Sequence, residues 1–317
     1  MTVGGPTVTL SNGVQMPLVG LGTWQSTDED VKRALRSALD EGYRLIDTAT
    51  VYSNEEAIGE VVEEYIKAGK VKREDLFITT KCWTNNLRAG DVTKSARESL
   101  KKLRLDYVDL YLAHMPAAAK PDMSGPDPDV KVEEIWQALE EVYNLGLAKA
   151  IGVSNWSGKQ IERALAIAKV PIHNLQVELW LYFPQHELHA LCKKHGISLT
   201  SYASLGSPGR SKFVLPNGQR LNWPESDSAL ENKDVVALAA KYGKTPAQVL
   251  LRYLLDRGIA VIPKSVNPQR VHENFQLFDF KLTPEEVEQL NGQTYRKRIF
   301  IQDFMIGHPE DPFVDER

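Results

Sequence analysis

The chain reads as an α/β protein built as a closed (β/α)8 barrel, and three observations predict this. Short apolar segments alternate with stretches of helical periodicity eight times along the 317 residues. No linker or shift of composition divides them, so one domain over 1–317 is expected, a length common for such barrels. The apolar segments also end in polar or charged residues, as barrel strands do on the face that carries chemistry. Strands alternating with helices imply a parallel sheet with right-handed crossovers. An open doubly wound sheet is the alternative, and eight units without a second domain favour the closed ring.

The elements follow in order. Residues 7–10 and 14–16 flank Ser11-Asn-Gly13, a hairpin sequence because Asn-Gly tolerates positive φ. This hairpin has no place in a parallel ring and is expected to plug the barrel's N-terminal end. Residues 18–21 form the first barrel strand. From 28 to 39 apolar residues recur at helical spacing, and Gly42 stops the pattern. Strand 44–47 comes next, then helix 55–68 ended by Gly69, strand 76–80 and helix 91–103. Strand 107–112 leads into a Pro/Gly/Asp-rich loop, 116–129, and helix 132–144. Strand 148–152, helix 158–168, strand 174–177, helix 184–194 and strand 197–201 continue the alternation. A polar segment, 206–231, reads as extended loop. Helices at 235–242 and 246–255 precede the last strand, 259–262, with Pro246 suited to a first helical turn. Further helices begin at 270 and at 284.

Composition narrows the function. A net charge of −4 argues against nucleic acid or an anionic membrane as the main partner. The N-terminus shows no basic region followed by an apolar stretch, and no run approaches the roughly 20 apolar residues of a membrane helix. Cys82 and Cys192 make no disulfide framework, so a reducing, cytoplasmic setting is expected. His186, His189, Cys192 and His195 lie along one helix, but the histidines miss the i, i+4 spacing of a zinc helix, and no metal site is expected. Neither a Gly-x-Ser-x-Gly elbow nor a Walker loop occurs. No Gly-x-Gly-x-x-Gly follows a strand, which removes the main support for a Rossmann domain.

The strand ends carry the candidate chemistry. The second strand ends at Asp47 with Tyr52 on its loop, the third at Lys81 and the fourth at His114. Each alone has a structural use, as a helix cap, a solvated cation or a half-buried ring. Together they place a carboxylate, a phenol, an ammonium and an imidazole on one rim. A phenol with a pKa of about 10 is a weak acid, and a nearby cation lowers that value. Lys81 is the expected cation, Asp47 its counter-charge, and His114 the group that orients a substrate oxygen. A tuned acid facing a polarised oxygen suits carbonyl reduction or proton transfer.

Motifs extend the pattern over nearly the whole chain. Gly20-Leu-Gly-Thr-Trp24, Gly42-Tyr-Arg-Leu-Ile-Asp-Thr-Ala49 with Tyr52, Thr80-Lys-Cys-Trp83, Leu112-Ala-His-Met-Pro116, Ile151-Gly-Val-Ser-Asn155 and Ile262-Pro-Lys-Ser265 resemble those of the aldo-keto reductases. The resemblance implies a TIM-barrel fold with a C-terminal substrate loop, and hydride transfer from NADPH to an aldehyde or ketone. It makes Tyr52 the proton donor, with Lys81, Asp47 and His114 completing the tetrad. It puts the nicotinamide against Ser154, Asn155, Gln176 and Tyr202, and the pyrophosphate near Leu205 and Ser207. It puts the adenosine 2′-phosphate site in the segment holding Lys264, Ser265, Arg270, Glu273 and Asn274. A lysine, a hydroxyl and a forked guanidinium at a helix start suit a phosphate. Trp24, Val51, Trp83, His114, Met115, Trp223 and Phe300 would line the substrate pocket, and a monomer is implied.

The departures are specific. The family's Ser-Pro-Leu-Gly-Ser stands as Ala203-Ser-Leu-Gly-Ser207, and Gly209 and Gln25 replace the aspartate and lysine that latch the cofactor. Faster NADP exchange is expected. Met115 stands where tryptophan is common, so a more adaptable pocket is expected. Two rival functions remain: a redox-inactive NADPH-binding relative, and a barrel isomerase or lyase using Lys81 as a Schiff base.

Overall fold

The computed structural model describes residues 3–214, 220–221 and 223–316. The opening hairpin pairs β1 (Thr7–Thr9) with β2 (Gln15–Pro17) in antiparallel register, Val8 opposite Met16. The barrel strands are β3 (Gly20–Gly22), β4 (Leu45–Asp47), β5 (Phe77–Cys82), β6 (Val108–Ala113), β7 (Ala148–Ser154), β8 (Asn174–Glu178), β9 (Ser198–Tyr202) and β10 (Ala260–Val261). They pair in sequence order, all parallel. The ring closes through bridges between Val19 and Val261 and between Gly22 and Lys264. A Cβ on Gly22 would stand 2.5 Å from the Ile262 carbonyl oxygen, so only glycine lets the two edges meet there.

Helices α1 (Asp28–Glu41), α2 (Glu55–Lys67), α3 (Asp91–Leu103), α4 (Val132–Asn144), α5 (Gly158–Ile167) and α6 (His186–His195) surround the strands, followed by α7 (Lys233–Tyr242), α8 (Pro246–Asp256), α9 (Pro268–Phe275) and α10 (Pro284–Asn291). Their ends follow local chemistry. Thr27 caps α1 by accepting from the Asp30 N–H, and Gly42 ends it in the left-handed region. Thr245 and Gln248 form a capping box over Pro246 at the start of α8. α9 begins two residues earlier than the sequence predicts, because Pro268 takes its first turn and Asn267 caps it. The last strand shrinks to two residues.

The strands are buried on both faces, and residue parity decides which way each side chain points. Leu45, Phe77, Leu110, Leu112 and Ala150 fill the barrel interior above Leu10 and Met16 of the hairpin region. This is the plug predicted for the N-terminal hairpin. Ile46, Ile78, Tyr111, Val153, Leu175 and Leu199 face the helices. Continuing the inward parity by twos reaches Asp47 from Leu45, Lys81 from Phe77, His114 from Leu112 and Ser154 from Ala150. On β8 and β9 it runs through Asn174, Gln176 and Glu178, and through Thr200 and Tyr202. The C-terminal mouth of the barrel therefore receives its polar groups from strand period alone. No helix among the described residues is long and apolar enough to cross a membrane.

Candidate active site

Lys81 is fully buried at the mouth, and its Nζ donates to Asp47 Oδ1, to the Thr48 carbonyl at 2.9 Å and to Tyr52 Oη at 3.4 Å. The other Asp47 oxygen accepts from Gln176 Nε2 at 2.8 Å. Tyr52 closes a short 3-10 turn, Thr50–Tyr52, tied down where the Thr50 hydroxyl donates to the Lys81 carbonyl at 3.1 Å. Behind it, Thr48 donates to Asn54 Oδ1 at 2.8 Å, and Asn54 donates to the Thr23 carbonyl at 2.9 Å. The Thr23 hydroxyl donates to the Asp47 carbonyl at 2.9 Å. The turn that presents the phenol is thus fixed by side-chain hydrogen bonds. His114 stands edge-on to Tyr52 at 5.6 Å and to Trp83 at 4.9 Å between ring centroids, and its Nδ1 is buried without a partner.

Burial governs the electrostatics. It pushes the Tyr52 phenol well above its usual value, and Asp47 adds to the rise. In the protein alone, burial outweighs the lowering expected from Lys81. Burial lowers Lys81 itself, against the opposing pull of Asp47 and then Glu55. His114 is held well below the usual histidine range by burial and then by Lys81, so its ring is neutral. Glu55 was not singled out from the sequence, where an acid at a helix start looks ordinary. It is buried, accepts from the Thr80 hydroxyl at 2.6 Å and leaves its second oxygen without a partner.

Beside these groups lies a ledge of amides. Asn155 adopts a left-handed backbone with φ 63°. Its Nδ2 donates to the His114 carbonyl at 2.9 Å and to Ser154 Oγ at 3.1 Å, and its Oδ1 accepts from Tyr202 Oη at 2.6 Å. Ser154 and Gln176 are register partners on β7 and β8. Leu205 and Ser207 follow β9 in a tight loop with positive φ at Ala203, Gly206 and Ser207. Ser204, which replaces a proline, shares a 2.7 Å hydrogen bond with Ser201, so the loop is held despite the change. Arg210 also holds it, donating to the carbonyls of Gly206 at 3.1 Å and Pro224 at 2.8 Å. At the closing seam, Lys264 Nζ donates to the Gln25 carbonyl at 3.1 Å. Ser265 and the exposed Arg270 flank the start of α9, where Asn267 accepts from the Arg270 N–H at 3.1 Å. Asn274 is buried, and Glu273 accepts from Gln269 at 2.8 Å.

Aromatic rings form the wall. Phe300 meets Trp223 at 5.0 Å, Trp24 at 5.6 Å and Tyr202 at 5.6 Å between centroids. Phe213 packs on Trp24 at 5.3 Å, and Phe304 on Trp83 at 5.8 Å. Val51 is exposed at the mouth.

A sequence profile of the Aldo/keto reductase family matches residues 18–293. The chain belongs to the aldo/keto reductase family. Aldo-keto reductase family 1 member A1 of Rattus norvegicus is 41% identical over 329 residues, covering 97% of this chain and 98% of the relative. The solved aldose reductase of Schistosoma japonicum superposes with a TM-score of 0.88 at 38% identity, covering 99% of this chain and 100% of that one. A Bombyx mori aldo-keto reductase in complex with NADP gives a TM-score of 0.87 at 39% identity, over 98% and 100% of the two chains.

Against this aldo/keto reductase framework, the structure brings together Asp47, Tyr52, Lys81, His114, Ser154, Asn155, Gln176 and Tyr202. Met115, read from the sequence as pocket lining, sits in a small buried cluster that Trp83 packs against. The side chain is 2% exposed and packs with Ala117, Met305 and Phe313, so it faces the C-terminal tail. Phe213 escaped sequence reasoning because it lies in a polar segment without periodicity.

Proposed function

We propose that the chain is an NADPH-dependent reductase that converts an aldehyde or ketone to its alcohol, with Tyr52 as proton donor. The observation that carries this is the bonded line from Tyr52 through Lys81 to Asp47 beside a neutral His114. Bound NADPH supplies the hydride that adds to the carbonyl carbon. Tyr52 gives its proton to the carbonyl oxygen. Its raised pKa keeps the phenol protonated, and an alkoxide, being a stronger base than a phenolate, still takes the proton. Lys81 donates to the phenol oxygen and so favours the charge that develops there. Asp47, held by Gln176, keeps the ammonium in place. The neutral His114 ring offers a hydrogen bond to the carbonyl oxygen and orients it.

The donor set fits NADPH. Ser154, Asn155 and Gln176 offer amide and hydroxyl groups to a carboxamide, and the Tyr202 ring lies beside them. Leu205 and Ser207 present loop backbone to a pyrophosphate. Lys264, Ser265 and Arg270, with Glu273 and Asn274 next along α9, suit an adenosine 2′-phosphate, since helix dipole and cations add. The NADP complex of the Bombyx mori relative supports the same reading. The chain is read as one domain and a monomer, since every group named comes from one chain, and as cytoplasmic, since Cys82 and Cys192 are free thiols.

Loss of NADPH absorbance with a panel of aldehydes, ketones and sugars, matched to alcohol formed, tests the activity. Tyr52→Phe should lower turnover on the order of 10²–10⁴-fold while NADPH still binds; full activity in that variant overturns the proton-donor role. Tight NADPH binding without oxidation by any carbonyl would point instead to a redox-inactive relative.

A further inference from the structure

Glu178 ends β8 on the same inward parity as Gln176, yet it bonds neither the catalytic line nor the ledge. It is fully buried. Oε1 accepts from the Trp180 indole N–H at 3.0 Å and the Ile299 backbone N–H at 2.8 Å, and Oε2 accepts from the Phe300 backbone N–H at 2.8 Å. Buried Arg298 brings its guanidinium to 3.7 Å from Oε2. The rings of Phe183 and Phe313 lie 4.4 and 3.8 Å from that guanidinium, and its Nε donates to Glu316 at 2.6 Å. A carboxylate taken this far from water stays charged only when its lone pairs are met by donors and a cation. Here the donors are the two amides that begin the C-terminal tail. The ring attached to the second of them is Phe300, the centre of the aromatic wall.

We propose that Glu178 is a positioning residue for substrate discrimination, which fixes the Phe300 ring in the wall by holding Arg298 and the Ile299 and Phe300 amides. The inference rests on the carbonyl-reductase reading of the site. Its chemical basis is that two consecutive N–H groups share one rigid, strand-borne acceptor. The Phe300 backbone, from which the ring projects, then cannot shift away without breaking a charge-assisted hydrogen bond in a water-free setting. Glu316 and Phe313 complete the clamp from the far end of the tail, so tail and wall are held by one carboxylate.

Glu178→Gln tests this, because an amide keeps the size but presents one acceptor and one donor to groups that all donate. The readout is kcat/KM for a bulky aryl ketone against a small aliphatic aldehyde, together with NADPH affinity by fluorescence titration. The bulky-to-small ratio should shift by roughly tenfold, mainly through KM of the bulky substrate, with NADPH affinity within about threefold. In a Phe300→Ala background the same substitution should no longer move the ratio, since the two residues act as one unit. Additive effects would overturn the proposal. If Glu178→Gln fails to fold, Glu316→Gln is put through the same cycle, with a smaller shift expected that also vanishes beside Phe300→Ala. An unchanged ratio in the folded variants overturns the clamp while leaving the carbonyl-reductase reading intact. Failure of the unaltered protein to reduce either carbonyl removes the reading on which the clamp rests.

Discussion

The catalytic line and the aromatic wall share one mouth but are built in opposite ways. Asp47 and Lys81 stand on strands, His114 directly follows one, and their backbones are fixed by neighbouring strands before any side chain is considered. Trp24, Phe213, Trp223 and Phe300 stand on loops and the tail, and they touch mainly one another. The first group is ordered by hydrogen bonds in a buried setting; the second, apart from the Phe300 backbone held by Glu178, by ring contacts each worth only about 0.5–1.5 kcal/mol beyond burial. The lesson is a division of labour. On the proposed reading, the strands supply the reaction and the rings on loops and tail supply the choice of substrate.

This contrast can be broken by substitutions of decreasing expected effect. Lys81→Met leaves Asp47 buried without its cation and should cost about 3–5 kcal/mol in denaturant unfolding as well as abolishing turnover. A variant as stable as the parent would show that the line is not integral to the fold. Arg270→Ala removes an exposed guanidinium. It should weaken NADPH about 10- to 100-fold with NADH affinity and melting temperature unchanged, the loss of one charged hydrogen bond. Equal weakening of both cofactors would move the 2′-phosphate elsewhere. Met115→Trp forces a bulky ring in place of a thioether among Ala117, Met305 and Phe313. It should lower stability by about 1–3 kcal/mol and alter the substrate profile through the tail. A stable variant with an unaltered profile would detach Met115 from both roles. Phe213→Ala should change kcat/KM for bulky carbonyls only a fewfold, the worth of one ring contact of about 0.5–1.5 kcal/mol, and leave small aldehydes alone.

Legibility in the sequence follows the same division. Strand period places Leu45, Phe77 and Leu112 inside the barrel, and the same count by twos delivers Asp47, Lys81 and His114. Strand period thus makes three of the four tetrad groups legible, while Tyr52 lies on the turn after β4 and is marked only by its motif. Phe213 was not, because a loop imposes no period, and its partner Trp24 lies far away in sequence. The inward turn of Met115 toward the tail was equally hidden, since it depends on where Met305 and Phe313 come to rest. The rise in the Tyr52 pKa escaped for another reason. A cation one strand away can be read from sequence, whereas the degree of burial cannot.

The seam where the ring closes has a dynamic consequence. β10 offers two paired residues to β9, and only single bridges at Val19 and Gly22 to the first strand. Amide exchange should be fastest along this edge, because local opening there breaks the fewest backbone bonds. Lys264 and Ser265 leave the same edge and lead into α9. A dinucleotide lying from the ledge to α9 would act as a rivet across the weakest joint, slowing exchange at Val261 and Gly22 more than at the midpoints of β5 or β6.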